Sequence, residues 1–248
     1  MPKQKSKLQI VHNDPKPKKT GGCKLSIDDL SVREPMTSNQ GIFFEQYSKG
    51  LAFLLHGAAG TGKTYIALYK ALEEALDPST PYDRVIVCRS AVPSRDIGHL
   101  PGDQAEKTEV YMQPYITMVQ DLFGKRANAF GRLQEAKSLE WMITSYIRGI
   151  TLDNAIVIVD ECQNMNDMEL NSIMTRIGVD SKIIFCGDFR QSDLYKNRSD
   201  MSGLKKFMVI ADMMKSFSIV EFGVDDIVRS EIVKEYILAR MQYEDQYG

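Results

Sequence analysis

The stretch HGAAGTGKTY, from His56 to Tyr65, places three glycines, a lysine and a threonine directly after the apolar run LAFLL. Gly57, Gly62, Lys63 and Thr64 fit the pattern G-x-x-x-x-G-K-[ST] of a phosphate-binding loop, and each residue type has a task there. Glycines let successive backbone N–H groups curl into a nest for an anion, and the helix behind them adds the positive end of its dipole. The backbone through Gly57, Ala58, Ala59, Gly60, Thr61 and Gly62 would wrap the phosphates of a nucleotide. Lys63 would reach the β- and γ-phosphates, and the Thr64 hydroxyl would ligate magnesium. A second signal is AIVIVDECQN, an apolar run ending on Asp160 and Glu161. The first carboxylate would assist the magnesium ion and the second would polarise an attacking water as general base. Such a pair favours hydrolysis over mere binding. A third candidate is Gln191 in FCGDFRQSDL, just past a strand-like run, where a side-chain amide would sense the γ-phosphate.

These groups need a scaffold that delivers strand ends to one edge. The runs at 51–55, 84–88, 155–159, 182–186 and 217–222 are continuously apolar and rich in β-branched residues, as strands buried on both faces are. Segments 63–76, 104–148 and 167–178 carry apolar residues at helical spacing. Strands alternating with helices imply parallel pairing through right-handed crossovers. The expected fold is therefore an α/β three-layer sandwich with a mainly parallel sheet, with strands enough for one core. Residues 1–24, rich in lysine and proline, read as a disordered basic arm, and 25–248 as a single domain.

Composition narrows the class. Of 248 residues, 43% are apolar and 26% charged, as in ordinary globular chains. A net charge of -2 argues against a broad basic surface, so nucleic-acid contact would be a local stripe. Cys23, Cys88, Cys162 and Cys186 lack metal-ligand spacing and read as reduced thiols. No apolar run reaches the length of a membrane span and no signal-peptide core follows the basic start, so a cytoplasmic location is expected.

Taken in order, the motifs resemble the PhoH family of P-loop ATPases, related to the first RecA-like core of superfamily 1 helicases. The resemblance covers roughly 35–240. PMTSNQ is similar to the family's adenine-recognition segment, with Gln40 as the base-reading amide. CRSAV…IGHLPGD, YIRGITL, DECQN and GDFRQSDL resemble the family's RPAV…GFLPGD, YMRGRTL, DEAQN and GDxxQxDL. Ser90 replaces a usual proline, and nothing resembles the ribonuclease or KH-like extensions of some members. The resemblance implies Mg2+-dependent ATP hydrolysis coupled to single-stranded RNA or DNA, within reach of helicase or translocase work. Arg89, Arg95 and Arg148 are the candidate phosphate contacts. A nucleotide-gated switch with slow or no turnover is the alternative. A GTPase would need a lysine that NRSD (197–200) lacks.

DDIVRSEIV resembles the family's late arginine segment and makes Arg229 a candidate γ-phosphate contact. Helicases of this kind complete the site with an arginine from a second core. With one core here, a closed homo-oligomer is expected, such as a hexameric ring, in which Arg229 serves the neighbouring subunit. Pairing of Arg229 with Asp225 or Asp226, or action on its own γ-phosphate, is left open.

Overall fold

The computed structural model describes residues 25–90, 104–124, 126, 128–188 and 201–247. The arm at 1–24, Arg95 and Gln191 lie outside the described residues. Among the described residues six strands form one sheet: β1 (Ala52–Gly57), β2 (Arg84–Arg89), β3 (Leu139–Ile143), β4 (Ala155–Asp160), β5 (Lys182–Gly187) and β6 (Phe217–Phe222). Their order is β3-β2-β4-β5-β1-β6, and every pairing among them is parallel. The helices are α1 (Ser38–Tyr47), α2 (Lys63–Leu76), α3 (Gln104–Leu122), α4 (Ala129–Glu135), α5 (Asp167–Met174), α6 (Met201–Asp212) and α7 (Glu231–Tyr247).

Side chains of the central strands alternate between two apolar layers, because successive residues of a strand point to opposite faces. Phe53, Leu55, Ile156, Ile158 and Ile184 pack on one face with Phe43 of α1, Leu68 and Leu72 of α2 and Leu122 of α3. Leu54, Val157, Val159, Ile183 and Phe185 pack on the other with Leu170 and Ile173 of α5 and Leu204 and Phe207 of α6. Both faces are thus covered, which is why these strands read as continuous apolar runs. The result is the expected RecA-like three-layer α/β sandwich. The phosphate loop follows β1, the acid pair ends β4, and β5 alone separates those two strands.

The expectation that 104–148 is helical throughout fails. Two helices occupy its first part, and β3 closes it as a sixth strand. Among the described residues β3 is an edge strand paired only with β2, and four of its five residues are half-buried. It therefore lacks the unbroken apolar run that marks a strand covered on both faces. Elsewhere α2 spans the expected 63–76, whereas the helix expected over 167–178 ends at Met174.

Candidate functional site

The C-terminal ends of β1, β4 and β5 open onto a cleft of about 770 Å³, lined by the phosphate loop together with Asp160, Glu161, Asp188 and Arg229. The loop takes its shape from positive backbone angles: Gly57 has φ 120°, Gly60 φ 74° and Gly62 φ 79°. At Gly57 a Cβ would overlap the Phe222 carbonyl, which accepts the Ala58 N–H at 2.8 Å, so only glycine fits there. Gly62 caps α2 with no side-chain hydrogen bond. The first amides of α2 thus have no side-chain competitor for an anion. Lys63 Nζ donates to the carbonyls of Gly57 (3.0 Å) and Ala58 (2.7 Å) and to Thr61 Oγ1 (3.2 Å), which holds the ammonium against the loop. Burial pulls its pKa below the ordinary lysine value, although Asp188 opposes the shift.

The two halves of the site touch. Thr64 Oγ1 donates to Asp160 Oδ1 at 2.7 Å, and the Tyr115 hydroxyl from α3 donates to Asp160 Oδ2. Burial and the facing Asp160 keep the Tyr115 phenol well above its usual pKa, so it stays a neutral donor. Glu161 follows in a left-handed backbone (φ 52°, ψ 40°) that glutamate seldom adopts. Its Oε2 accepts from Gln163 Nε2 at 2.6 Å, and its Oε1 lies 3.9 Å from Arg89 Nη2. Burial, then the charge of Asp160, raise the Glu161 pKa, with Arg89 and Gln163 opposing. Gln163 also accepts the Asp188 N–H at 3.1 Å, tying the end of β4 to the end of β5.

Gln40 is buried at 2% exposure and borders the cleft. Its Nε2 donates to the Thr61 carbonyl at 2.9 Å and its Oε1 accepts from Met36 N at 2.8 Å. Each of these atoms keeps capacity for one further bond. Arg229 sits over the phosphate loop of its own chain: Val228 N donates to the Gly60 carbonyl at 3.0 Å, and a Cβ on Gly60 would lie 3.0 Å from Arg229 Cγ. Asp226 is engaged elsewhere, accepting from Asn39 (2.7 Å) and from Gly223 N (2.9 Å). Arg229 thus borders the cleft of its own chain.

The nucleic-acid candidates separate. Arg89 lies against Glu161, 3.9 Å from its Oε1, and over the Tyr111 ring at 5.5 Å. Arg148 is exposed beside Met168 and Tyr146, beyond the C-terminal end of β3. Sequence reading missed Tyr115, Gln163 and the rim cluster in which Arg33 donates to Tyr65 and Asp121. Gln163 could have been found, since it lies in DECQN beside the acid pair. Tyr115 had no local signal, because it is 45 residues from the carboxylate it serves.

A family model described as PhoH-like protein matches residues 32–241. The chain belongs to that family. Its relatives include PhoH-like proteins of Mycobacterium tuberculosis (32% identical, covering 89% of this chain and 62% of the relative) and of Bacillus subtilis (37%, covering 74% and 56%). Protein PhoH of Escherichia coli is 35% identical, covering 77% of this chain and 53% of its own length. The chain thus spans little more than half the length of some of these relatives. Similar solved structures include the large terminase of a thermophilic bacteriophage (TM-score 0.47, 14% identity, covering 82% of this chain and 50% of that one). The Pyrococcus furiosus Hef helicase domain is another (TM-score 0.45, 11% identity, covering 76% and 39%).

The donor set suits magnesium. Thr64 and Asp160 offer a hydroxyl and a carboxylate oxygen in contact beside a phosphate nest, the hard-oxygen chemistry this ion takes with one or two carboxylates and substrate phosphates. Among the described residues no group of three or more His, Cys, Asp or Glu side chains forms an all-protein metal cage. Cys88, Cys162 and Cys186 are free, buried thiols, and burial pushes the Cys88 pKa up to about 12. None of the described helices is long and apolar enough to cross a membrane.

Proposed function

We propose that this chain hydrolyses ATP with magnesium in the cleft between the phosphate loop and the end of β4. The observation that carries this is the contact of Thr64 Oγ1 with Asp160 Oδ1 at 2.7 Å, with Glu161 next in the chain. Magnesium held by those two oxygens would withdraw charge from the β- and γ-phosphates. Lys63 binds the same phosphates with its ammonium. Glu161 takes the proton of the attacking water as oxygen bonds to the γ-phosphorus and the bond to the bridging oxygen breaks, releasing ADP and phosphate. Arg229 supplies charge to the γ-phosphate within its own chain, a reading supported by its place against Gly60. Gln40 reads the adenine edge with its remaining donor and acceptor.

Coupling to single-stranded RNA or DNA is part of the proposal. It is supported by exposed Arg148 and Tyr146 on the sheet edge that also carries Glu161, a cation and an aromatic ring suited to phosphate contact and base stacking. On this reading Arg229 reaches the site without a ring-shaped homo-oligomer.

The test is steady-state hydrolysis of ATP and GTP by the parent and by Glu161→Gln, with and without single-stranded RNA or DNA. Glu161→Gln should keep ATP binding and lose about 100- to 10,000-fold in turnover, the usual contribution of a general base. Parental turnover in that variant would remove Glu161 from the role. Equal rates with ATP and GTP would remove Gln40 from base selection.

A further inference from the structure

We infer that Tyr115 is a positioning residue for magnesium: its hydroxyl holds Asp160 Oδ2, so that Oδ1 stays turned toward Thr64 as the oxygen that receives the ion. This rests on the hydrolysis reading above and adds to it a residue from a different element. A carboxylate at the end of a strand rotates easily, because the torsion that swings its two oxygens is broad and roughly two-fold. The two oxygens are equivalent, and the end of β4 does not by itself fix the plane in which they lie, which decides whether one of them faces the loop. The two hydrogen bonds do: Thr64 engages Oδ1 at 2.7 Å and Tyr115 engages Oδ2.

Tyr115 is suited to the task because it is itself fixed. It is 2% exposed in α3, and its ring packs on Trp141 of β3 with centroids 5.0 Å apart and planes at 60°. A tyrosine spans the gap from helix to strand end and brings a donor without bringing a charge that would compete with the cation. Its helix also lines the cleft through Pro114, Thr117, Met118 and Asp121, and Asp121 accepts from Arg33 Nη2 at 2.9 Å. α3 thereby joins the wall of the nucleotide cleft to the metal-binding carboxylate through one rigid side chain. Outer-shell groups that orient metal ligands cost about 10- to 100-fold in metal affinity when they are removed.

Tyr115→Phe keeps the ring and its packing and removes only the donor. ADP binding by parent and variant would be measured in EDTA and across a magnesium titration, by calorimetry and by the fluorescence of Trp141, the single tryptophan of the chain. Circular dichroism would verify the fold of each variant. The expected result is ADP affinity in EDTA within about twofold of the parent and apparent magnesium affinity of the ADP complex about tenfold weaker. In an Asp160→Asn background the same change should have no further effect on magnesium affinity, since Tyr115 acts through that carboxylate. If the parent binds magnesium-ADP and Tyr115→Phe binds it equally well, or if the loss persists undiminished in Asp160→Asn, this inference is overturned alone. If the parent binds no ADP, it falls together with the hydrolysis reading.

Discussion

Replacing Glu74 with alanine would strand a buried cation beneath β5, the strand that spaces the phosphate loop from Asp160. Lys182 opens β5 with its side chain only 2% exposed, and its Nζ donates to both oxygens of Glu74, at 2.9 and 2.7 Å. The ammonium also lies 3.8 Å from the centre of the Tyr47 ring. Burial pulls the lysine pKa below its ordinary value even with Glu74 beside it, so desolvation outweighs the attraction. Breaking a pair of this kind costs about 3–5 kcal/mol, because the remaining charge stays buried. The Tyr47 ring persists as a partial partner, so we expect about 3 kcal/mol for Glu74→Ala, or roughly 6–12 °C in melting temperature for a domain of this size. Lys182→Met should cost less, about 1 kcal/mol, because Glu74 is 24% exposed and can turn to water. Lys182→Met with Glu74→Leu should return close to the parent, since an apolar pair of similar volume carries no desolvation cost. Urea unfolding followed by circular dichroism, with scanning calorimetry, would measure all three. Equal losses in the two single variants, or under about 1 kcal/mol for Glu74→Ala, would refute the claim that a desolvated charge dominates there.

The pH dependence of turnover follows from Glu161. Burial and Asp160 raise its pKa in the free protein, and a base works only when ionised, so kcat/KM should climb with pH through a limb lying above the ordinary glutamate range. A limb at the ordinary value would contradict this. The raised folded-state pKa also means that the stability Glu161 contributes is present at low pH and lost as pH rises through that value. Glu161→Gln should therefore melt above the parent at about pH 8, with the gap closing below about pH 4. The placement of Arg229 within its own chain makes a separate prediction. Mixing Lys63→Ala chains with Arg229→Ala chains should yield no more than the sum of their separate activities, and recovered turnover would establish action on a neighbour.

Local chemistry made much of the site legible before any fold was known. A glycine-rich nest, a lysine and a threonine must follow one another in the chain, because all of them grip one string of phosphates. Two adjacent acids after an unbroken apolar run announce a buried strand and the edge it reaches. The helix 63–76 could be read to the residue because its periodicity is complete within the segment. The run 217–222 matches β6 in its bounds, although among the described residues β6 is a partly buried edge strand with Glu221 exposed and not a strand covered on both faces. Tertiary structure decided what depends on partners far along the chain. β3 escaped notice because its five residues, broken by Glu140, follow directly on a helical pattern with no unbroken apolar run to mark them, and Tyr115 because its helix touches Asp160 only after the sheet assembles. Arg229 was legible as an arginine of interest, with membership of its own chain's site as one of the arrangements left open. That membership arises because β6 lies beside β1, which returns the segment after β6 to the phosphate loop and bonds Val228 to Gly60. Sequence order carries the chemistry of each grip, and strand order sets which grips close on the same cleft.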